Sequence, residues 1–170
     1  MKYITTLLLA CACSLSIAQD LRSALLTDLK NSHNNAAWYV PANTAIEGLT
    51  AEQASWKDGA NHSVGQLVHH IVFWNERSLR NLNGEKNDKF EGSNDETFDK
   101  FDKKTWDDLV KRLDAVMTGF EKFVAEAPED VLIQIAPLIG NISSHNAYHT
   151  GQIVSVRKAQ KSWNPEKGVK

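Results

Sequence analysis

Ile142-Ser-Ser-His-Asn-Ala-Tyr-His-Thr-Gly-Gln-Ile153 is the stretch from which the rest of the chain is best read, because it sets His145 and His149 four residues apart. On a helix that step rises roughly 6 Å and turns only about 40° from eclipsed, so the two imidazoles lean over one patch of surface. At about 100° per residue, Ile142, His145, His149, Gln152, Ile153 and Val156 share a stripe roughly 100° wide, the width of a core-facing strip. Both histidines are therefore expected to point inward. A buried imidazole must be neutral and hydrogen-bonded, or bound to a metal, because burying it charged and alone is costly. The pair taken by itself leaves both readings open.

Working outward, three further helical segments emerge and no strand alternation. The first is expected over 20–47, with Leu21, Leu25 and Leu29 at helical spacing, a kink or split at Pro41 and a stop at Gly48. Thr50-Ala-Glu-Gln53 has the form of a capping box opening one short turn. The second long helix should start after Ser63 and carry Val64, Leu67, Val68, Ile71, Trp74 and Leu82 on one stripe, ending near Asn83-Gly84. The third opens with the capping-box pattern Thr105-Trp-Asp-Asp108, continues through Leu109, Leu113, Val116, Met117, Phe120 and Val124, and stops at Pro128. Pro137 fits the first turn of the fourth, which carries the histidine pair to about Gln160. The stretch 84–102, dense in Lys, Asp and Glu, reads as a solvated connector. The expected fold is all-α, a four-helix bundle, a class that builds metal sites from facing helices.

Four other histidines could complete a site: His33, His62, His69 and His70. Residues one apart on a helix cannot converge on one ion. His70 lies beside Leu67 and Trp74 at the margin of the apolar stripe, whereas His69 lies about 100° further round, so His70 is the better inward candidate. His62 precedes the helix and suits its cap or the rim of a site, and His33 could face either way. Three neutral imidazoles would leave a divalent ion with open positions, the arrangement of a catalytic site. Zinc, nickel, iron and manganese all accept such ligands.

Residues 1–18 read as a secretory signal, with Lys2, an apolar run over 3–17 and the small residues Ser16 and Ala18 before Gln19. A competing reading makes Leu8-Leu-Ala-Cys11 a lipoprotein signal. Both cysteines, Cys11 and Cys13, fall in this segment, so cleavage after Ala18 leaves one domain over 19–170 without thiol or disulfide chemistry. The product is then expected in the periplasm or outside the cell, with no membrane anchor after cleavage. The whole chain carries a net charge of −2, or −3 without Lys2, with the signs interspersed, which argues against nucleic acid as a partner. A small-molecule substrate is the expected partner. A homodimer is compatible with the sequence, which leaves oligomeric state open.

Two blocks resemble the motifs of the DinB superfamily of metal-dependent hydrolases and thiol S-transferases. His62-Ser-Val-Gly-Gln-Leu-Val-His-His-Ile-Val-Phe-Trp74 is similar to its HSI-x-x-LV-x-HIAAW pattern, and His145-Asn-Ala-Tyr-His-Thr-Gly-Gln-Ile153, followed by Arg157-Lys158, to HNxYHxGQI ending in an Arg-Lys pair. Trp38-Tyr-Val-Pro41 and Leu49-Thr-Ala-Glu-Gln-Ala54 look like the end of the family's first helix and its following turn. The resemblance implies a DinB-like bundle whose metal ligands are His70, His145 and His149. Val64-Gly-Gln66 departs from the bulkier Ile-Trp-Glu often found there and should alter the pocket wall.

The resemblance makes metal-assisted hydrolysis the leading functional expectation. Thiol-dependent S-transfer ranks below it, because an exported protein meets little low-molecular-weight thiol. No carboxylate stands at an obvious ligand-adjacent spacing to serve as general base, which keeps a non-catalytic metal- or ligand-binding module in play. Glu76 and Asn75 read as surface residues. Tyr148 and His62 are the better candidates for supporting the site.

Overall fold

The computed structural model describes residues 20–168, so the expected leader over 1–18 lies outside the described residues. Seven α-helices and no strand occur among those described: α1 (20–33), α2 (Ala42–Ile46), α3 (Ala51–Ser55), α4 (Val64–Leu82), α5 (Glu96–Asp99), α6 (Trp106–Glu126) and α7 (Glu129–Ala159). The four long ones, α1, α4, α6 and α7, form the all-α bundle.

The stripes read from the sequence are the faces that pack. Val64, Leu67, Val68 and Ile71 of α4 meet Leu109, Leu113, Met117 and Phe120 of α6 and Ile142 and Ile153 of α7 in one buried core, with Leu25 and Leu29 of α1. Trp74 and Leu82, at the far end of the α4 stripe, are only half-buried. Ser63 caps α4 through a full capping box with Gln66, and Thr50 caps α3 through one with Gln53, as the patterns required.

Side-chain pairs fix the directions. Gly65 at the start of α4 faces the ring of Phe101, just ahead of α6, and Gly119 of α6 faces Leu79 near the end of α4, so α4 and α6 run parallel. The segment 83–105 is the crossover that parallel neighbours need. A Cβ on Gly65 would sit 2.2 Å from the Phe101 ring, which explains why this wall of the bundle carries no larger residue. His70 packs edge-on against His149 and Asn75 bonds Asn146, so α7 runs antiparallel to α4, and Glu76 bonds Arg112, fixing α4 on α6. Arg22 of α1 donates to the carbonyls of Val124, Ala125 and Ala127, groups that the end of α6 leaves without intrahelical partners.

Four boundaries differ from expectation. The 20–47 segment is two helices, not one kinked helix: the backbone N–H groups of Asn34 and Asn35 both turn back to the Lys30 carbonyl, and Pro41 stands as N-cap of α2 with an extended ψ of 156°. Proline disfavours helical conformation in the residue before it, so Val40 cannot carry a helix into α2. Gly48, at φ 73°, then turns the chain out of α2. The last helix starts at Glu129 rather than at Pro137, which sits inside it. Pro128 opens it, Glu129 and Asp130 complement its first turn, and fully buried Leu132 holds this added length on the core, outweighing the backbone bond that exposed Pro137 removes. Thr105 makes no capping box, because its hydroxyl is spent on the Asp102 carbonyl in a 3-10 turn, Lys103–Thr105, that leads into α6. Finally, the end of the charged connector is not merely solvated: α5 buries Thr97 and Phe98.

Candidate metal centre

The antiparallel pairing of α4 with α7 brings His70 opposite His145 and His149. Nε2 of His145 lies 3.1 Å from Nε2 of His70 and 3.1 Å from Nε2 of His149. The three ligand atoms fall within 4.8 Å of one another, the one such histidine, cysteine or carboxylate group among the described residues. Nitrogen ligands at about 2.0–2.1 Å from a tetrahedral ion stand about 3.3 Å apart, so the spacing fits a shared divalent cation. The expectation that both α7 histidines point inward holds, with His149 buried and His145 half-buried.

Burial keeps these rings neutral. Loss of solvent, reinforced by the neighbouring imidazoles, pushes His70 down from 6.5 to about 3. Burial likewise pushes His149 down to about 4, against the bond from its Nδ1 to Gln152 Oε1 at 2.7 Å, and lowers His145. A neutral imidazole keeps one N–H and leaves its other nitrogen as a donor atom, and three such rings converging form a set that a divalent cation accepts. His70 is gripped from α5: its Nδ1 lies 2.5 Å from Thr97 Oγ1 and its ring stacks on Phe98 at 3.9 Å. His62 stacks on the other face of Phe98 at 4.0 Å, so the two histidines enclose the phenyl ring.

The other histidines separate as follows. His69 donates to or accepts from nothing in the cluster; its Nδ1 lies 2.6 Å from the Thr97 carbonyl oxygen, to which it donates. His33 is buried on the far side of the bundle, between Glu121 at 2.7 Å and Asp114 at 3.0 Å, where it ties α1 to α6. Glu76 accepts from Nε and Nη2 of Arg112, each at 2.8 Å, away from the cluster. Asn75 is not a surface residue, as the sequence suggested: it is buried and donates to Asn146 Oδ1 at 3.0 Å beside His145. Its place seven residues after Val68 and four after Ile71 put it on the buried stripe, a signal its polarity masked. Thr97 and Phe98 went unread because contact across 27 residues has no local signature.

A cavity of about 540 Å³ adjoins the cluster, with Asp58, Asn61, His62, Tyr148, Gln152 and Ser155 in its wall. Gln152 and Tyr148 connect that wall to His149, the first by its hydrogen bond and the second by edge-on ring contact at 4.9 Å. A second cavity of about 360 Å³ reaches His145 between Trp74, Asn94 and Ile142. Arg157, of the Arg-Lys pair, is not part of the site: it is buried and donates to the Ala45, Glu47 and Ser162 carbonyls, pinning α2 to α7.

Comparison with family models matches residues 42–153 to the DinB superfamily. No curated protein and no solved structure matches the chain.

Proposed function

The chain belongs to the DinB superfamily, and on that premise we propose that it holds one divalent metal ion on His70, His145 and His149 and hydrolyses a small substrate in the adjoining cavity. The observation that carries the reading is the convergence of three histidine Nε2 atoms, two on buried rings and one on a half-buried ring, through 3.1 Å contacts beside a cavity whose wall includes Gln152, the hydrogen-bond partner of His149. A divalent ion bound there would supply Lewis acidity, lowering the pKa of a water toward 7 and polarising a carbonyl or phosphoryl oxygen. The chain's own groups orient and exclude. Phe98 and the α4–α7 seam shield one side of the rings, and Gln152 fixes the rotation of His149. His62, on the cavity wall and held flat by Phe98, offers a ring nitrogen as proton acceptor, and the Tyr148 hydroxyl offers a donor at the exposed mouth.

One observation favours a second reading, a non-catalytic metal- or ligand-binding module: among the described residues no carboxylate joins the cluster, and Glu76 is committed to Arg112. Elemental analysis and turnover separate the two. Protein reconstituted with zinc, nickel, iron or manganese should bind about one ion per chain; His70→Ala, His145→Ala and His149→Ala should lose it, while His69→Ala keeps it. A wild-type chain that takes up none of the four ions defeats the metal reading. Metal-dependent turnover across ester, amide and phosphoester probes supports hydrolysis, and stoichiometric metal with no turnover on any class supports the module.

We further propose, from residues 1–18, that the protein is exported and matures at Gln19. Intact-mass spectrometry of the product should show a cysteine-free chain starting there; a lipidated Cys11 would replace that assignment with a membrane-anchored one.

A further inference from the structure

The contact between α5 and α4 determines which nitrogen His70 presents. Thr97 is 1% exposed, and its Oγ1 lies 2.6 Å from the Asn94 carbonyl oxygen and 2.5 Å from His70 Nδ1. Two oxygens 2.6 Å apart need a hydrogen between them, and a carbonyl has none. The single hydroxyl hydrogen of Thr97 is therefore committed to Asn94. That leaves Oγ1 as an acceptor only, and the hydrogen on its contact with His70 must come from Nδ1. A neutral imidazole carries one N–H. Nε2 of His70 is thus the bare nitrogen, and it is the atom 3.1 Å from His145 Nε2.

We propose that Thr97 is the positioning residue of the histidine cluster, holding His70 as its Nδ1–H tautomer so that Nε2 faces the other two rings as a ligand atom. The consequence for metal affinity rests on the metal reading above; the tautomer does not. The same residue's backbone carbonyl takes the Nδ1–H of His69 at 2.6 Å, so one threonine from a polar connector orients two adjacent imidazoles in different directions. This accounts for how His69 and His70, one residue apart, come to have separate roles.

The test compares wild type with Thr97→Ser, which keeps the hydroxyl, and Thr97→Val, which keeps the shape and removes it. Long-range ¹H–¹⁵N spectra of the metal-free protein should show His70 protonated at Nδ1 and bare at Nε2 in wild type and Thr97→Ser, with that pattern lost or mixed in Thr97→Val. Zinc affinity measured by competition with a chelator should fall about 10- to 100-fold in Thr97→Val and be restored in Thr97→Ser. A wild-type His70 protonated at Nε2 overturns the proposal, and this measurement decides it even if Thr97→Val does not fold. So does a Thr97→Val protein with the wild-type tautomer and affinity. A wild type with the Nδ1–H tautomer that takes up no zinc would uphold the hold of Thr97 on His70 while sinking the metal reading.

Discussion

His70 and His149 illustrate how burial converts an ordinary residue into a metal-ready one. Their imidazoles, depressed from 6.5 to about 3 and about 4 mainly by loss of solvent, stay neutral where a surface histidine would already carry a proton. The sign of the resulting pH dependence follows from linkage. Above about pH 6.5 both folded and unfolded chains hold these rings neutral and they add no slope; as pH falls from there toward 4, the unfolded chain takes up protons that the folded chain refuses, so stability is lost. Urea midpoints of the metal-free protein should therefore fall between pH 7 and 5, and a His70→Ala, His149→Ala double variant should show a flatter profile. Equal slopes in the two proteins would mean that the rings are protonated in the folded state. Residue type and spacing were sufficient to nominate this pair with His145. The polar partners Asn75 and Thr97 were not legible, the first because an asparagine on an apolar stripe looks like a surface residue, the second because its partner lies 27 residues away.

At the level of elements, local chemistry decided the helix that carries His70 and left others to packing. The capping box of Ser63 and Gln66 is made in both directions, Ser63 Oγ accepting from the Gln66 N–H at 3.2 Å and Gln66 Oε1 from the Ser63 N–H at 3.1 Å. Ser63→Ala leaves a buried backbone donor at the start of α4 without its acceptor, and it should lower unfolding free energy by about 1 kcal/mol in urea titrations. A loss below about 0.3 kcal/mol would show that water replaces the cap. The same type of signal misled at Thr105, where the pattern was present but the hydroxyl was drawn to Asp102. Pro137 misled in the opposite way. Proline is suited to a first helical turn, but Leu132 and Ile139, both fully buried, pull the residues on either side of it onto one core, so the helix runs through. Propensity is a local preference, and a few buried aliphatic side chains at about 1.5–3 kcal/mol each are enough to override it.

Across the whole molecule, the bundle should not depend on the proposed metal. Val64, Val68, Ile71, Leu113, Phe120, Leu132 and Ile153 are all sealed from solvent, and their burial stabilises the fold without an ion. Treating the protein with a chelator, or replacing His149 by Ala, should leave the far-UV circular dichroism helical while metal is lost; collapse of the helical signal on chelation would make the site a structural one. By itself the sequence determined the all-α class, the buried stripes of α4 and α6, the ends of α4 and the histidines on the inner side of α4 and α7. It could do so because each is a periodicity or a cap, readable within a turn or two of chain. Tertiary structure alone decided that the crossover 83–105 returns Thr97 and Phe98 onto His70, that His62 closes on Phe98 from the other face, and that His33 turns away to bridge Asp114 and Glu121. Those outcomes depend on which surfaces meet when parallel α4 and α6 pack together with a connector between them, and contacts set by packing leave no period in the sequence.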